Sequence, residues 1–407
     1  IINSGSIAGG LSGDGVTQAD AILFTGGTNV LQVQAGSSIT GNVVAYSTAD
    51  TFALGGATNA SFDVSTIGSQ YLGFGIYEKT GTSTWTLTNT TTAVTPWTIS
   101  AGVLNISNDG ALGDSSGVVT FNGGTLQLGT GVAFIARNFT LAAGGGTFDT
   151  NGFLGLIGTD ITGSGSLTKN GAGTLTLGVP NDYTGGTIVN AGTLLVESGA
   201  SLAPTGGITV NGGTLDFDGN AQTVASVAGT GGTISLGGVG SINGLTVNQS
   251  INTSYAGNIS GAGTFTKTGG GTLILNGVNT YSGPTTVSAG THEIGDASHT
   301  GASLTSDVTI GAAGTLMGHG TIGGAVTNTA GGILAPGGSI GTTTLASYTQ
   351  GGNSTLQIEV SPTAASKLVV TGAASLAGTL SLIYDPGVYS AATFNIVHAG
   401  SITGTFA

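Results

Sequence analysis

The chain has 407 residues, 79 of them glycine and none cysteine, and a formal charge of −13 with only five Lys and Arg residues. So few cations exclude nucleic acid as a partner and electrostatic docking at an anionic membrane, because no basic stripe can displace counterions from phosphates, and no apolar run is long enough to span a bilayer. The glycine content excludes a conventional jigsaw core, and a mean hydropathy of +0.34 excludes disorder, which goes with high charge and few apolar residues.

Thr, Val and Ile recur in short alternating segments punctuated by glycine and Asn-Gly or Asp-Gly pairs, and no stretch has the composition of a sustained amphipathic helix. The chain is therefore expected to be all-β. Residues 1–74 carry this style without a clean repeat, and Ile1-Ile2-Asn3-Ser4 lacks the basic start of a signal peptide, so the chain is expected to begin within a larger protein. The absence of thiols fits export through an oxidising compartment. From Gly102 onward a Gly-Thr-Leu beat or close variant returns at Gly124, Gly146, Gly165, Gly192, Gly213 and Gly232, mostly 19 to 24 residues apart. Short strands, glycine corners and a period near 20 predict a coil of stacked strands, a parallel β-helix, with on the order of 18 rungs.

Longer self-similarity lies on top of this beat. Gly163–Val196 and Gly261–Ile294 align at an offset of 98 without a gap and share 17 of 34 positions, and a worn third copy around Glu78-Lys79-Thr80-Gly81 and Trp85-Thr86-Leu87 aligns at an offset of 90. Lys169 to Leu177, Asn181-Asp182-Tyr183 and Ala191-Gly192-Thr193-Leu194, with their counterparts Lys267 to Leu275, Asn279-Thr280-Tyr281 and Ala289-Gly290-Thr291, resemble the passenger-associated transport repeat of autotransporter passenger domains. Ala335-Pro336-Gly337-Gly338-Ser339-Ile340-Gly341, Tyr348-Thr349-Gln350 and Leu368-Val369-Val370-Thr371-Gly372 resemble the pertactin-like end of such passengers. The resemblance implies a right-handed parallel β-helix. Its stalk would span 1–302, with degenerate repeats near 75–106, 163–196 and 261–294, and a C-terminal autochaperone-like cap would span 303–407.

Four segments carry residue types suited to chemistry. Gly113-Asp114-Ser115-Ser116-Gly117 and Gly337-Gly338-Ser339-Ile340-Gly341 match the Gly-x-Ser-x-Gly pattern, but a nucleophile elbow needs a strand-to-helix turn that this chain lacks. Asp216 and Asp218 lie on one face of a strand without the basic residue a glycosidase pair would have beside it. The densest set of potential metal ligands is His292, Glu293, Asp296 and His299, expected to mark a rung edge with His292 partly exposed rather than a metal centre. Lys169 and Lys267 are expected to cover corners with their stems and hold their ammonium groups in water. Trp85 is expected inward, and Trp97 exposed as a candidate surface contact.

These readings predict no cofactor, no metal and no enzyme, but an exported, non-enzymatic surface rod acting in adhesion or self-association. Its partners would be a copy of itself or a host or cell-surface ligand. The resemblance further implies a C-terminal β-barrel translocator, absent from this sequence, that anchors the protein at the outer membrane. An inert stalk displaying a domain upstream of Ile1, and, last, a β-helix hydrolase or lyase, are the alternatives.

Overall fold

Alternation of apolar and hydroxyl residues turns every second side chain to one face of a strand, and here those inward faces are closed by coiling. The computed structural model describes residues 1–13, 15–238 and 243–407. It is all-β, with parallel strands stacked as a β-solenoid of about 16 turns. Turns at both ends exceed 22 residues, from Ile2 to Gln32 at the start and from Thr349 to Ser375 to Thr403 at the end, so the count falls below 18. Among the described residues the helical elements are two short 3₁₀ segments, Val64–Thr66 and Asp109–Leu112. Among the described residues no helix is long and apolar enough to cross a membrane, which says nothing of a β-barrel.

The chain divides into two compact units, Ile1–Leu195 and Val196–Ala407. In the first, one sheet runs through Ile2–Asn3, Val30–Val33, Thr51–Leu54, Ile76–Lys79, Trp97–Ile99, Val119–Phe121, Phe139–Leu141 and Ile161–Gly163. Successive members pair in parallel, so Val119, Phe139 and Ile161 sit above one another. All three are fully buried. Each such side chain contributes about 1.5–3 kcal/mol of burial free energy, and the rings of Phe121, Phe139 and Phe148 pack at centroid distances of 4.9 to 6.2 Å. A core one side chain deep is enough when it repeats on every turn.

In the second unit the strands lengthen. Thr285–Ile294, Val308–Gly318, Thr321–Asn328, Thr342–Gln350 and Lys367–Leu376 run through what are separate strands earlier in the chain. The bend is taken up by register shifts, such as that between Leu345 and Tyr348. Their sheet keeps one outward column in register for nine strands: Thr223, Thr246, Thr266, Thr286, Thr309, Thr327, Thr349, Ser375 and Thr403. The last strands, Thr379–Tyr384 and Val397–Gly404, each pair on one side. Leu382, Ile383 and Tyr384 are accordingly exposed.

Corners explain the glycine. Gly192 and Gly290, equivalent in the two long repeats, have φ of +65° and +67°, a region that favours glycine. A Cβ on Gly192 would overlap the carbonyl oxygens of Gly171 and Gly173, and one on Gly290 those of Gly269 and Gly271. Gly290→Ala is expected to cost about 1–3 kcal/mol, read as a lower urea midpoint by circular dichroism, whereas Gly10→Ala, where a Cβ meets open space, should leave the midpoint in place.

Candidate functional site

The lysine, asparagine and tyrosine shared by the two long repeats all point inward. Lys169 ends strand Leu167–Asn170 just before a corner and is fully buried. Its Nζ donates to the carbonyls of Asn170 at 2.8 Å, Gly171 at 2.7 Å and Ala191 at 3.0 Å, and bonds Thr150 Oγ1 at 2.9 Å. The cage recurs. Lys267 donates to Thr268, Gly269 and Ala289 at 2.7, 2.9 and 3.4 Å, and Lys79 to Thr80, Gly81 and Ala101 at 2.6, 3.1 and 3.2 Å. Each lysine thus ties its own corner to the corner of the next turn, 22 residues on. Burial pulls all three ammonium groups down to about 8, which leaves them protonated at neutral pH. The expectation that Lys169 and Lys267 keep their ammonium groups in water is corrected: three N–H donors match three corner carbonyls, which replaces hydration.

The rest of the repeat is accounted for in the same way. Asn181 Oδ1 accepts from the Ile161 amide at 3.1 Å and Asn279 Oδ1 from the Ile259 amide at 3.1 Å. Tyr183 and Thr187 share a hydroxyl bond of 2.6 Å, as do Tyr281 and Thr285. In the first copy Ala93 stands at the tyrosine position and Trp97 at the threonine position. Trp97 is expected at the surface, and the structure corrects this: it is fully buried, its ring 5.5 Å from Tyr77. Trp85 is inward as expected, with Nε1 donating to the Gly55 carbonyl at 3.0 Å.

The four potential metal ligands separate. His292 is fully buried, not partly exposed, in register between Leu273 and Leu316. Its ring stacks on Phe265 at 5.4 Å, and neither ring nitrogen has a hydrogen-bond partner among the described residues. Burial, then the charge of Lys267, lowers its pKa to about 4, with backbone of Leu273 pulling weakly the other way. Strand alternation turns Glu293 outward, where partial burial and then Asp296 raise its carboxyl. Asp296 and His299 meet in an exposed turn at 2.7 Å. Burial acts to raise Asp296, but bonds from His299, Asn276 and the Ser298 amide outweigh it and hold the carboxyl low. No three metal-type side chains converge among the described residues.

No hydrogen bond joins the Ser115 or Ser339 hydroxyl to a base among the described residues, although the His319 ring lies against Gly341 of the second motif. Ser115 lies in a loop wrapped around Arg137, a fully buried residue that sequence reasoning missed. Its guanidinium pairs with Asp109 and donates to the carbonyls of Gly113 at 2.7 Å, Gly117 at 2.8 Å and Asp114 at 3.2 Å. The loop's carbonyls therefore serve one cation. Ser339 is exposed in a turn, and Asp216 and Asp218 form a tight turn in which Asp216 Oδ1 accepts from the Asp218 amide at 3.1 Å.

The passenger-associated-transport-repeat family matches residues 78–106, 167–196 and 265–291, the three segments that hold the lysine cages. The adhesin BmaC autotransporter of Brucella suis biovar 1 (strain 1330) is 33% identical over 140 residues, covering 32% of this chain and 4% of that protein. No solved structure matches.

Two outcomes are expected from this geometry. Lys169→Met should lower stability by on the order of 2–4 kcal/mol, since four buried acceptors lose their donor, measured by urea unfolding. His292→Leu, which restores the residue type of Leu194, should raise the midpoint at pH 7. The wild-type histidine is neutral when folded and titrates near 6.5 when unfolded, so stability is complete above pH 6.5 and declines as pH falls to 4. That loss amounts to about 3 kcal/mol, and the leucine variant should lack it.

Proposed function

On the premise that the three transport repeats and the adhesin relative support an autotransporter passenger domain, exported to the cell surface or beyond, we propose that this chain acts in adhesion as a non-enzymatic surface module. One observation carries the reading. The groups of the repeats best suited to chemistry, Lys79, Lys169, Lys267, Tyr183 and Tyr281, are buried and engaged in backbone or hydroxyl bonds. What the strands turn outward is mostly threonine, serine, asparagine and glycine, able to make many weak contacts that add up through multivalency. Anchoring at the outer membrane through a C-terminal β-barrel belongs to the same proposal.

A second reading has one observation in its favour. The chain spans 4% of the length of the adhesin relative, so the adhesive part of a longer protein could lie outside it, with this segment serving as a stalk. Display of residues 1–407 on bacterial cells separates the two. Clumping, or binding to matrix-coated plates, several-fold above cells displaying an unrelated folded domain is expected. Cells that do neither, with the domain shown folded by protease resistance, would assign adhesion elsewhere.

A further inference from the structure

The hydroxyl column of the second unit has no hydrogen-bond partner among the described residues. Nine successive strands place eight threonines and Ser375 in one line from Thr223 to Thr403. None of these hydroxyls hydrogen-bonds to another group among the described residues, in contrast to the ladder of the first unit, where Asn105 bonds Gln127 at 3.0 Å and Gln127 bonds Asp149 at 2.8 Å. Along each strand the outward residues two places to either side are small or uncharged. Asp307 is the one exception.

Charge makes this line distinctive. Of the five Lys and Arg residues, Lys79, Lys169, Lys267 and Arg137 are fully buried, so the exterior holds Lys367 against nearly all of the 18 acids. Two copies repel one another over most of their surface, and the hydroxyl column is where they can approach with least opposition. Spacing points to the same occupant. The hydroxyls recur once per strand, about every 4.8 Å over about 38 Å, and a second copy has that repeat by construction, whereas a polymer of another period falls out of step. Three outward residues per strand across nine strands cover roughly 600 Å² per copy, or about 1,200 Å² in a pair, at the lower end of specific interfaces.

We propose that the Thr223 to Thr403 column is a face on which a second copy of this chain docks, hydroxyl row against hydroxyl row; this rests on the adhesive reading above and names its partner. Contact is weak for one pair in solution and is multiplied where many copies stand on a surface. Because Thr309 is the middle of the nine, Thr286 and Thr327 face each other or themselves in either antiparallel or parallel docking.

Sedimentation velocity of residues 1–407 over a hundredfold concentration range should show a reversible dimer that tightens as salt screens the like charges. The T286K/T327K and T286E/T327E variants, each checked for native circular dichroism and melting, should associate at least tenfold more weakly. An equimolar mixture of the two should recover a dimer, now weakened by salt. T315K/T355K, on a different outward column, should behave as wild type. The proposal is overturned by a monomer throughout the range, by folded T286K/T327K that associates like wild type, or by a mixture that stays monomeric. Displayed on cells, the variants separate the two claims. Undiminished adhesion by T286K/T327K leaves the adhesive reading standing without this face, and dimers in solution without adhesion leave the face standing without that reading.

Discussion

Parallel pairing of each turn with the next, residue upon equivalent residue, is the constraint from which the rest of this structure follows. It stacks Val119 on Phe139 on Ile161, and so permits a core one side chain deep in a chain with 79 glycines. The weak points of such a stack are the corners, where backbone carbonyls turn away from the ladder and must find donors or water. The repeated lysine answers that need. One ammonium binds two carbonyls of its own corner and one of the next, at the cost of burying a charge that remains protonated. Full satisfaction of its three donors is what makes that cost bearable.

The same arrangement sets the electrostatics outside. Taking four of five cations into carbonyl cages leaves the exterior acidic, and the strands expose hydroxyls where charge is missing. In the adhesive reading proposed above, these extended arrays of uncharged polar groups are what meets a partner. Of the polar side chains common to the repeats, Lys169 and Lys267, Asn181 and Asn279, and Tyr183 and Tyr281 face the interior, so much of what the repeats share is construction. Positions that differ between copies record other demands. His292 is one of them, a buried histidine standing in register between Leu273 and Leu316.

Much of the fold was legible in the sequence because periodicity is a local signal. The Gly-Thr-Leu beat and the 98-residue offset required no knowledge of contacts to indicate stacked β-turns, and Trp85 inward followed from its alignment with Leu175. Errors came where burial depends on what lies one turn away. Lys169 and Lys267 were expected in water because a lysine is usually exposed, and only Ala191 and Ala289 on the neighbouring corner complete their cages. Trp97 was expected outside because its counterpart is Thr187, but that position faces inward in both copies, Thr187 itself being buried.

Composition and period, then, were enough to determine that this chain is β throughout, repeats in turns, lacks a basic binding surface and carries the transport repeat, since each of these is written in neighbouring residues or in a fixed offset. The tertiary structure decided which polar groups are consumed inside and which remain available. The closure of the loop around Arg137, the splitting of His292 from Asp296 and His299, and the alignment of Thr223 through Thr403 all depend on register between strands 18 to 28 residues apart. Register is a property of the stacked backbone, and a one-residue slip would send every one of those side chains to the opposite face.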